Sequence, residues 1–194
     1  MTYKNRIHDR LKKRDSSEKI ALGVYVVYQT VAMKGLDDMK FDILYAIAEH
    51  HKVDITHVLI AGSAQTGESF HKGTLFSSKT SDLDIAIVDP SLYEKCLRLA
   101  HTATRDYSDL SGFQRKEGIS VYKDFLENLG RGFFRPDLMP SCNFKTEWFS
   151  FFQSLSKKYQ SNFESINCGV YSSLHFFQLK QSNNIEIVKN QQGK

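Results

Sequence analysis

The stretch that decides the fold runs from Val58 to Pro90 and reads VLIAGSAQTGESFHKGTLFSSKTSDLDIAIVDP. It opens on an apolar run over residues 58–61, which breaks at a Gly-Ser dipeptide. A polar, glycine-containing segment follows, and Asp82 and Asp84 then open a second apolar run that ends before Pro90. The two apolar runs are typical of buried β-strands, and the dipeptide after the first is typical of a tight turn.

Asp82 and Asp84 form the most informative pair of side chains in the chain. Residues two apart on a strand point to the same face, with Cα atoms about 6.6 Å apart. Two carboxylates held in this way repel each other unless a cation lies between them, which favours a Mg²⁺ site beside a bound triphosphate. The alternative is that Asp82 caps a turn and Asp84 is an exposed strand residue without a metal. A strand that continues into apolar residues gains nothing structurally from such repulsion, so we favour the metal site.

The Gly-Ser dipeptide supplies a second element of the same chemistry. Gly62 permits a tight turn after a buried strand, and Ser63 then begins a short helix. Backbone N–H groups at such a turn, with a small hydroxyl beside them, bind phosphate oxygens. Phosphoryl and nucleotidyl transfer require little covalent chemistry from protein side chains, because metal ions and in-line positioning of the acceptor supply most of the catalysis.

With these residues in view, the sequence resembles the DNA polymerase β-like nucleotidyltransferase superfamily. The signature of that family is a strand ending in Gly-Ser, a helix, and a hydrophobic strand carrying Asp-x-Asp; here it spans residues 59–63 and 81–88. The resemblance implies an α/β (α+β) fold, with a small mixed sheet flanked by helices. It also implies transfer of a nucleoside monophosphate from an NTP–Mg²⁺ substrate to an acceptor hydroxyl of a protein, an RNA or a small molecule, with release of pyrophosphate. In that reading Gly62 and Ser63 hold the triphosphate, and Asp82 and Asp84 are catalytic metal ligands.

The segment between the two motifs is longer than is usual in the family. Eighteen residues, 64–81, separate Ser63 from Asp82. We therefore expect an insertion, at about residues 68–79, to loop over or beside the site, since long ordered loops next to a site are often functional. Lys72 and Lys79 in this insertion are candidate nucleotide-binding residues, with solvated surface lysines as the alternative.

A third catalytic carboxylate, which the family draws from a later strand, has two candidates. Glu164 lies at the start of an expected strand over residues 163–168, and Asp124 is flanked by apolar residues that are compatible with strand or helix. We favour Glu164. If neither residue reaches the metals, the alternative is a catalytically inactive nucleotide-binding or interaction module on the same fold.

The remaining pattern divides the chain into three parts. Residues 1–35 are expected to form a helical segment, with a capping box at residues 15–18 and a helix continuing to about residue 34. Residues 36–188 form the nucleotidyltransferase-like domain with a helical C-terminal part, and residues 189–194 a disordered tail. Aromatic residues at helical spacing over 148–159 favour a buried helix face over a base-stacking platform.

Composition sets limits on the class of protein. The 194 residues are 41% hydrophobic, and 26 basic against 22 acidic residues give a net charge of +4. This near balance makes a plain nucleic-acid-binding protein less favoured. Three scattered cysteines argue against a disulfide framework, and the most apolar run is too short to cross a membrane. We therefore expect a cytoplasmic protein without a membrane partner.

Overall fold

The computed structural model describes residues 2–191, and its elements follow one another as a succession of helices and short strands. The strands are β1 (Val58–Ala61), β2 (Glu68–Ser69), β3 (Thr74–Leu75), β4 (Leu83–Val88), β5 (Arg115–Lys116), β6 (Ile119–Ser120), β7 (Phe133–Phe134) and β8 (Ile166–Tyr171). The α-helices are α1 (Lys4–Lys12), α2 (Ser17–Leu22), α3 (Asp37–His51), α4 (Gly62–Thr66), α5 (Pro90–Ala103), α6 (Tyr122–Gly130), α7 (Asn143–Lys158) and α8 (Leu174–Asn190).

A mixed four-stranded sheet lies at the centre, in the order β1-β4-β8-β7. β1 and β4 are antiparallel, β4 and β8 are parallel, and β7 is antiparallel to β8. The pairs β2–β3 and β5–β6 form separate two-stranded hairpins. The expected α/β class, with a small mixed sheet flanked by helices, is confirmed.

The side chains of β4 point alternately to the two faces of the sheet, and each face packs against a different set of helices. Leu83, Ile85 and Ile87 are buried in a core that also takes in apolar residues of α3, α5, α6 and α7. The intervening Ala86 belongs to a second core on the opposite face, built with α1, α2 and α8. Period-two alternation puts Asp84 on this second face. Trp148 and Phe152 of α7, and Tyr159 directly after it, are buried in the first core, as expected.

The N-terminal segment does not form the single long helix that was expected. Ser16, rather than Asp15, caps α2 and accepts a hydrogen bond from the Lys19 N–H at 3.3 Å. After residue 22 the chain continues as a π-helical turn, Gly23–Val27, and then becomes extended. The buried Gln65 explains the break, because its side-chain N–H group donates to the Val24 carbonyl at 2.6 Å and to the Tyr28 carbonyl at 3.1 Å.

The C-terminal part differs from expectation at both of its ends. β8 begins at Ile166, because the chain is still in a turn at Phe163, whose N–H donates to the Tyr159 carbonyl at 3.1 Å. α8 continues to Asn190, so residues 189 and 190 are helical although the tail was expected to begin at 189. Residues 192–194 of that tail lie outside the described residues. Within residues 2–191 no helix has both the length and the apolar character needed to cross a membrane.

Candidate functional site

The Gly-Ser turn and the acid pair meet where β1 ends and β4 begins. Ala61 is the register partner of Asp84, so the turn starts beside that carboxylate. Gly62 has a φ of 60°, a conformation that glycine adopts without penalty. A Cβ on Gly62 would overlap Asp84 Oδ2 and would lie 3.1 Å from Asp84 Cγ. Only glycine therefore lets the backbone of the turn lie directly against the carboxylate.

These residues line one pocket of about 440 Å³. Its walls come from distant parts of the chain. They are the Gly-Ser turn, the start of β4, the β2–β3 hairpin, the residues just before β8, the π-helical turn after α2, and α8. The residues that matter below are Gly62, Ser63, Lys72, Asp82, Asp84 and Glu164. The pocket thus brings together six of the eight candidate residues that the sequence indicated, and it leaves out Lys79 and Asp124.

The electrostatics of Asp84 favour a cation in the pocket. Burial among protein atoms raises the pKa of its carboxyl group, and the neighbouring Asp82 raises it further, while Lys72 acts in the opposite direction. Asp84 is nevertheless open to solvent through the mouth of the pocket. Within residues 2–191 no side chain or backbone N–H donates a hydrogen bond to it. A bound cation would relieve both the desolvation and the repulsion from Asp82.

Asp82 is held by a short relay of polar side chains. The Ser165 hydroxyl donates to Asp82 Oδ1 at 2.7 Å. The side-chain amide of Asn167 in turn donates to Ser165 Oγ at 2.9 Å. Such a relay restricts the rotamer of Asp82 and leaves its second oxygen available to a ligand.

The expected third carboxylate is where the structure and the sequence differ most. Asn167 on β8 is the register partner of Asp84, so an amide occupies the strand position nearest to the acid pair. Glu164 precedes β8, lines the pocket at its rim, and donates its N–H to the Ser81 carbonyl at 3.1 Å. Asp124 lies in the first turn of α6 and is exposed, outside the pocket.

The expected insertion does lie beside the site, as the β2–β3 hairpin. Phe70 anchors the hairpin, because its ring is buried in the second core. Lys72 lines the pocket and acts electrostatically on Asp84. Lys79 lies outside the pocket, and its N–H donates to the Asn162 carbonyl at 3.0 Å. Its φ of 71° places it in a turn of the chain. The sequence indicated both lysines as candidate nucleotide-binding residues, but only Lys72 lines the pocket.

Sequence reasoning missed the helical wall of the pocket. Tyr25 and Asn184 line it from the π turn and from α8, and the Asn184 amide donates to the Tyr25 hydroxyl at 3.2 Å. The buried position of Tyr25 raises the pKa of its hydroxyl, which stays protonated. No local pattern marks either residue, since only the packing of the N- and C-terminal helices on one sheet face brings them together.

Whether these residues suit Mg²⁺ depends on how many ligands they can provide. Among the residues that the structure describes, no three His, Cys, Asp or Glu side chains are grouped as a complete metal site. Mg²⁺ is usually bound through one or two carboxylates, with water and substrate phosphates completing its octahedron. The pair Asp82 and Asp84 provides that number, so the residues present fit the ion.

The chain was also compared with known proteins. It matches no model of a protein family, no curated protein and no solved structure.

Proposed function

We propose that the protein is a Mg²⁺-dependent nucleotidyltransferase with the polymerase β-like fold. It transfers a nucleoside monophosphate from an NTP to an acceptor hydroxyl and releases pyrophosphate. The observation that carries the proposal is the packing of the Gly62 backbone against the Asp84 carboxylate, with Asp82 in the same pocket. A phosphate-binding turn and a cation-binding pair in contact are what an NTP–metal substrate requires.

The order of the strands supports the finer fold assignment. The strand that ends in Gly-Ser and the strand that begins with the acids are antiparallel neighbours, and a further strand lies parallel on the other side of β4. Helices cover both faces of this sheet. The arrangement agrees with the mixed sheet that the resemblance implies.

The six candidate residues of the pocket then have these roles in the reaction. The N–H groups of the turn and the Ser63 hydroxyl bind the triphosphate, and Lys72 adds a positive charge beside it. Asp82 and Asp84 would hold Mg²⁺, which when bound neutralises the charge that develops on the phosphates. The acceptor oxygen forms a bond to the α-phosphorus as the bond to pyrophosphate breaks. Glu164, at the rim, is the carboxylate of the pocket that we assign to receive the acceptor proton.

The test uses an NTP labelled at the α-phosphate and candidate acceptors. Asp82→Ala combined with Asp84→Ala should abolish transfer of label, while circular dichroism shows an unchanged fold. Asp124→Ala is the matched control, since this acid is exposed and outside the pocket. Undiminished transfer by the double variant would eliminate the mechanism.

A second candidate function is a nucleotide-binding module without catalysis. Asn167, in the strand position next to Asp84, favours it, because an amide neither ligates Mg²⁺ strongly nor accepts a proton. Calorimetry with each NTP in the presence of Mg²⁺ separates the two functions. Binding without any release of pyrophosphate over a long incubation would favour the module.

A further inference from the structure

One flank of α8 carries a row of side chains that leads away from the pocket. Phe176, Lys180 and Asn184 are spaced four residues apart, and side chains at that spacing lie one above another on a helix. Asn184 lines the pocket. Since a helix rises about 1.5 Å per residue, Lys180 follows Asn184 at roughly 6 Å along the axis.

The connection between α6 and β7 packs against this row. A Cβ on Gly132 would overlap the ring of Phe176, and the Gly132 carbonyl accepts a hydrogen bond from the Ser172 N–H at 3.0 Å. This packing places Arg131, the residue before Gly132, next to the turn of α8 that follows Phe176. That turn carries Lys180.

A second arginine reaches the same region from the end of β7. Phe133 pairs with Tyr171 in the sheet, and their rings stack with centroids 4.4 Å apart. Arg135 follows β7 directly. Burial raises the pKa of the Tyr171 hydroxyl, Asp84 raises it further, and Arg135 lowers it. Phe134 belongs to the first core and Phe133 packs against the second, so the alternation along the chain places Arg135 on the second face, which also carries the pocket.

The three cations converge with too few anions to balance them. Partial desolvation lowers the pKa of Lys180, and Arg131 and Arg135 lower it further. Arg131 faces Glu127 at 3.8 Å, and Arg135 donates two hydrogen bonds to the Asp137 carboxylate, at 3.1 and 2.7 Å. Between residues 2 and 191 no acid forms an ion pair with Lys180. Lys180 thus carries an uncompensated charge at an exposed position beside two guanidinium groups.

We propose that Lys180, Arg131 and Arg135 form a basic strip that binds the phosphate of a phosphorylated acceptor. The proposal rests on the proposed function, and it names the class of acceptor. The strip has three cations and two partner carboxylates, so it keeps a net positive charge. The ammonium group of Lys180 and the guanidinium N–H groups that are not bonded to acids can donate to phosphate oxygens, and a phosphate ester there relieves the repulsion within the strip. One helical turn separates the strip from the pocket, so an acceptor anchored there extends its hydroxyl toward Asp82 and Asp84.

The test measures binding without Mg²⁺ or NTP, by fluorescence anisotropy of a short labelled oligoribonucleotide, with ribose 5-phosphate as an unlabelled competitor. Lys180→Ala should weaken binding by about tenfold, and Lys180→Glu by more, since a phosphate contact and its charge are removed. Lys189→Ala is the matched control on the same helix. This lysine lies on the other flank, near Glu186 at 3.3 Å, and its removal should change binding less than about twofold.

The two probes identify the source of the phosphate. Binding of the oligonucleotide alone supports a nucleic-acid acceptor, and competition by ribose 5-phosphate supports a small phosphorylated acceptor. If neither probe binds, or if Lys189→Ala weakens binding as much as Lys180→Ala does, the proposal that the strip binds phosphate is overturned. The strip contains neither Asp82 nor Asp84, so its binding of the probes is measured separately from nucleotidyl transfer. Intact probe binding by a wild-type protein that transfers no nucleotide would therefore contradict the proposed function and not the binding by the strip.

Discussion

At the scale of single residues, Asp84 is the side chain whose surroundings most clearly favour a bound cation. Its carboxylate lies against the Gly62 backbone, shares the pocket with Asp82 and receives no hydrogen bond from residues 2–191. Burial and the second acid raise the pKa of its carboxyl group in the folded protein. The folded protein therefore disfavours the charged form of Asp84. A bound cation would stabilise that charged form, and a carboxylate in such surroundings is typical of a functional site.

Asp84→Asn should therefore stabilise the protein when no metal is present. Below the ordinary Asp pKa of 3.8, the carboxyl is protonated in both states and contributes no difference. As the pH rises from 3.8 toward the raised folded-state pKa, the unfolded chain releases this proton more readily than the folded protein, so the wild type loses stability that the amide variant keeps. Thermal unfolding in EDTA should show a higher midpoint for the variant at pH 7 and equal midpoints at about pH 3.

Two observations complete that measurement. Adding Mg²⁺ with an NTP should raise the midpoint of the wild type and leave that of Asp84→Asn unchanged, because only the wild type binds the ligand. Asp124→Asn, which removes an exposed acid, is the control for the charge change itself. A variant less stable than the wild type at pH 7 in EDTA would contradict our description of Asp84.

At the scale of elements, the β2–β3 hairpin brings Lys72, and not Lys79, into the pocket. Lys72→Ala should weaken NTP binding by about tenfold, because a charged partner of a phosphate typically contributes about 1.5–3 kcal/mol. Lys79→Ala is the matched control, since this lysine lies in the same insertion and outside the pocket. Calorimetry with an NTP and Mg²⁺ measures both. Equal losses from the two variants would show that the hairpin lies differently from our description.

The junction between α4 and the π turn depends on one buried amide. Gln65 is 2% exposed, accepts a hydrogen bond from the Thr30 hydroxyl at 2.7 Å, and donates to the carbonyls of residues 24 and 28. Gln65→Ala leaves these buried groups without partners, so we expect a loss of about 2–4 kcal/mol in the free energy of unfolding.

Urea denaturation measures the effect of Gln65→Ala. The control is Gln153→Ala on the exposed face of α7, which should change stability by less than about 0.5 kcal/mol. A loss no larger than that of the control would mean that water replaces the amide at the junction.

The elements also show what the sequence could and could not reveal. The acid pair, the Gly-Ser turn and the strands that carry them were predicted because a local pattern encodes each one. Asn167 was not identified as the neighbour of Asp84, since strand register depends on where the turn after α7 ends. Gln65, Tyr25 and Asn184 likewise have roles that arise only from contacts between distant segments.

At the scale of the whole molecule, the N-terminal segment packs into the same core as the sheet that carries the site. Ile7 of α1 is fully buried in the core that α2 and α8 share with the sheet. Ile7→Ala should lower the free energy of unfolding by about 2–4 kcal/mol, through lost burial and the cavity that remains. Trp148, the one tryptophan of the chain, is buried on the opposite face of the sheet and reports the unfolding of that core.

We expect Ile7→Ala to shift the fluorescence transition of Trp148 and the far-ultraviolet circular dichroism transition together. Leu126→Ala is the control, because Leu126 is 41% exposed and its truncation should have a small effect. A Trp148 transition unchanged by Ile7→Ala would show that the N-terminal helices unfold independently of the sheet.

The most direct test of the central claim is a crystal structure with a non-hydrolysable NTP and Mn²⁺, located by its anomalous signal. We expect the ion between Asp82 and Asp84, with the triphosphate on the turn formed by Gly62 and Ser63. An ordered nucleotide bound elsewhere, or an ion that neither aspartate contacts, would contradict the claim.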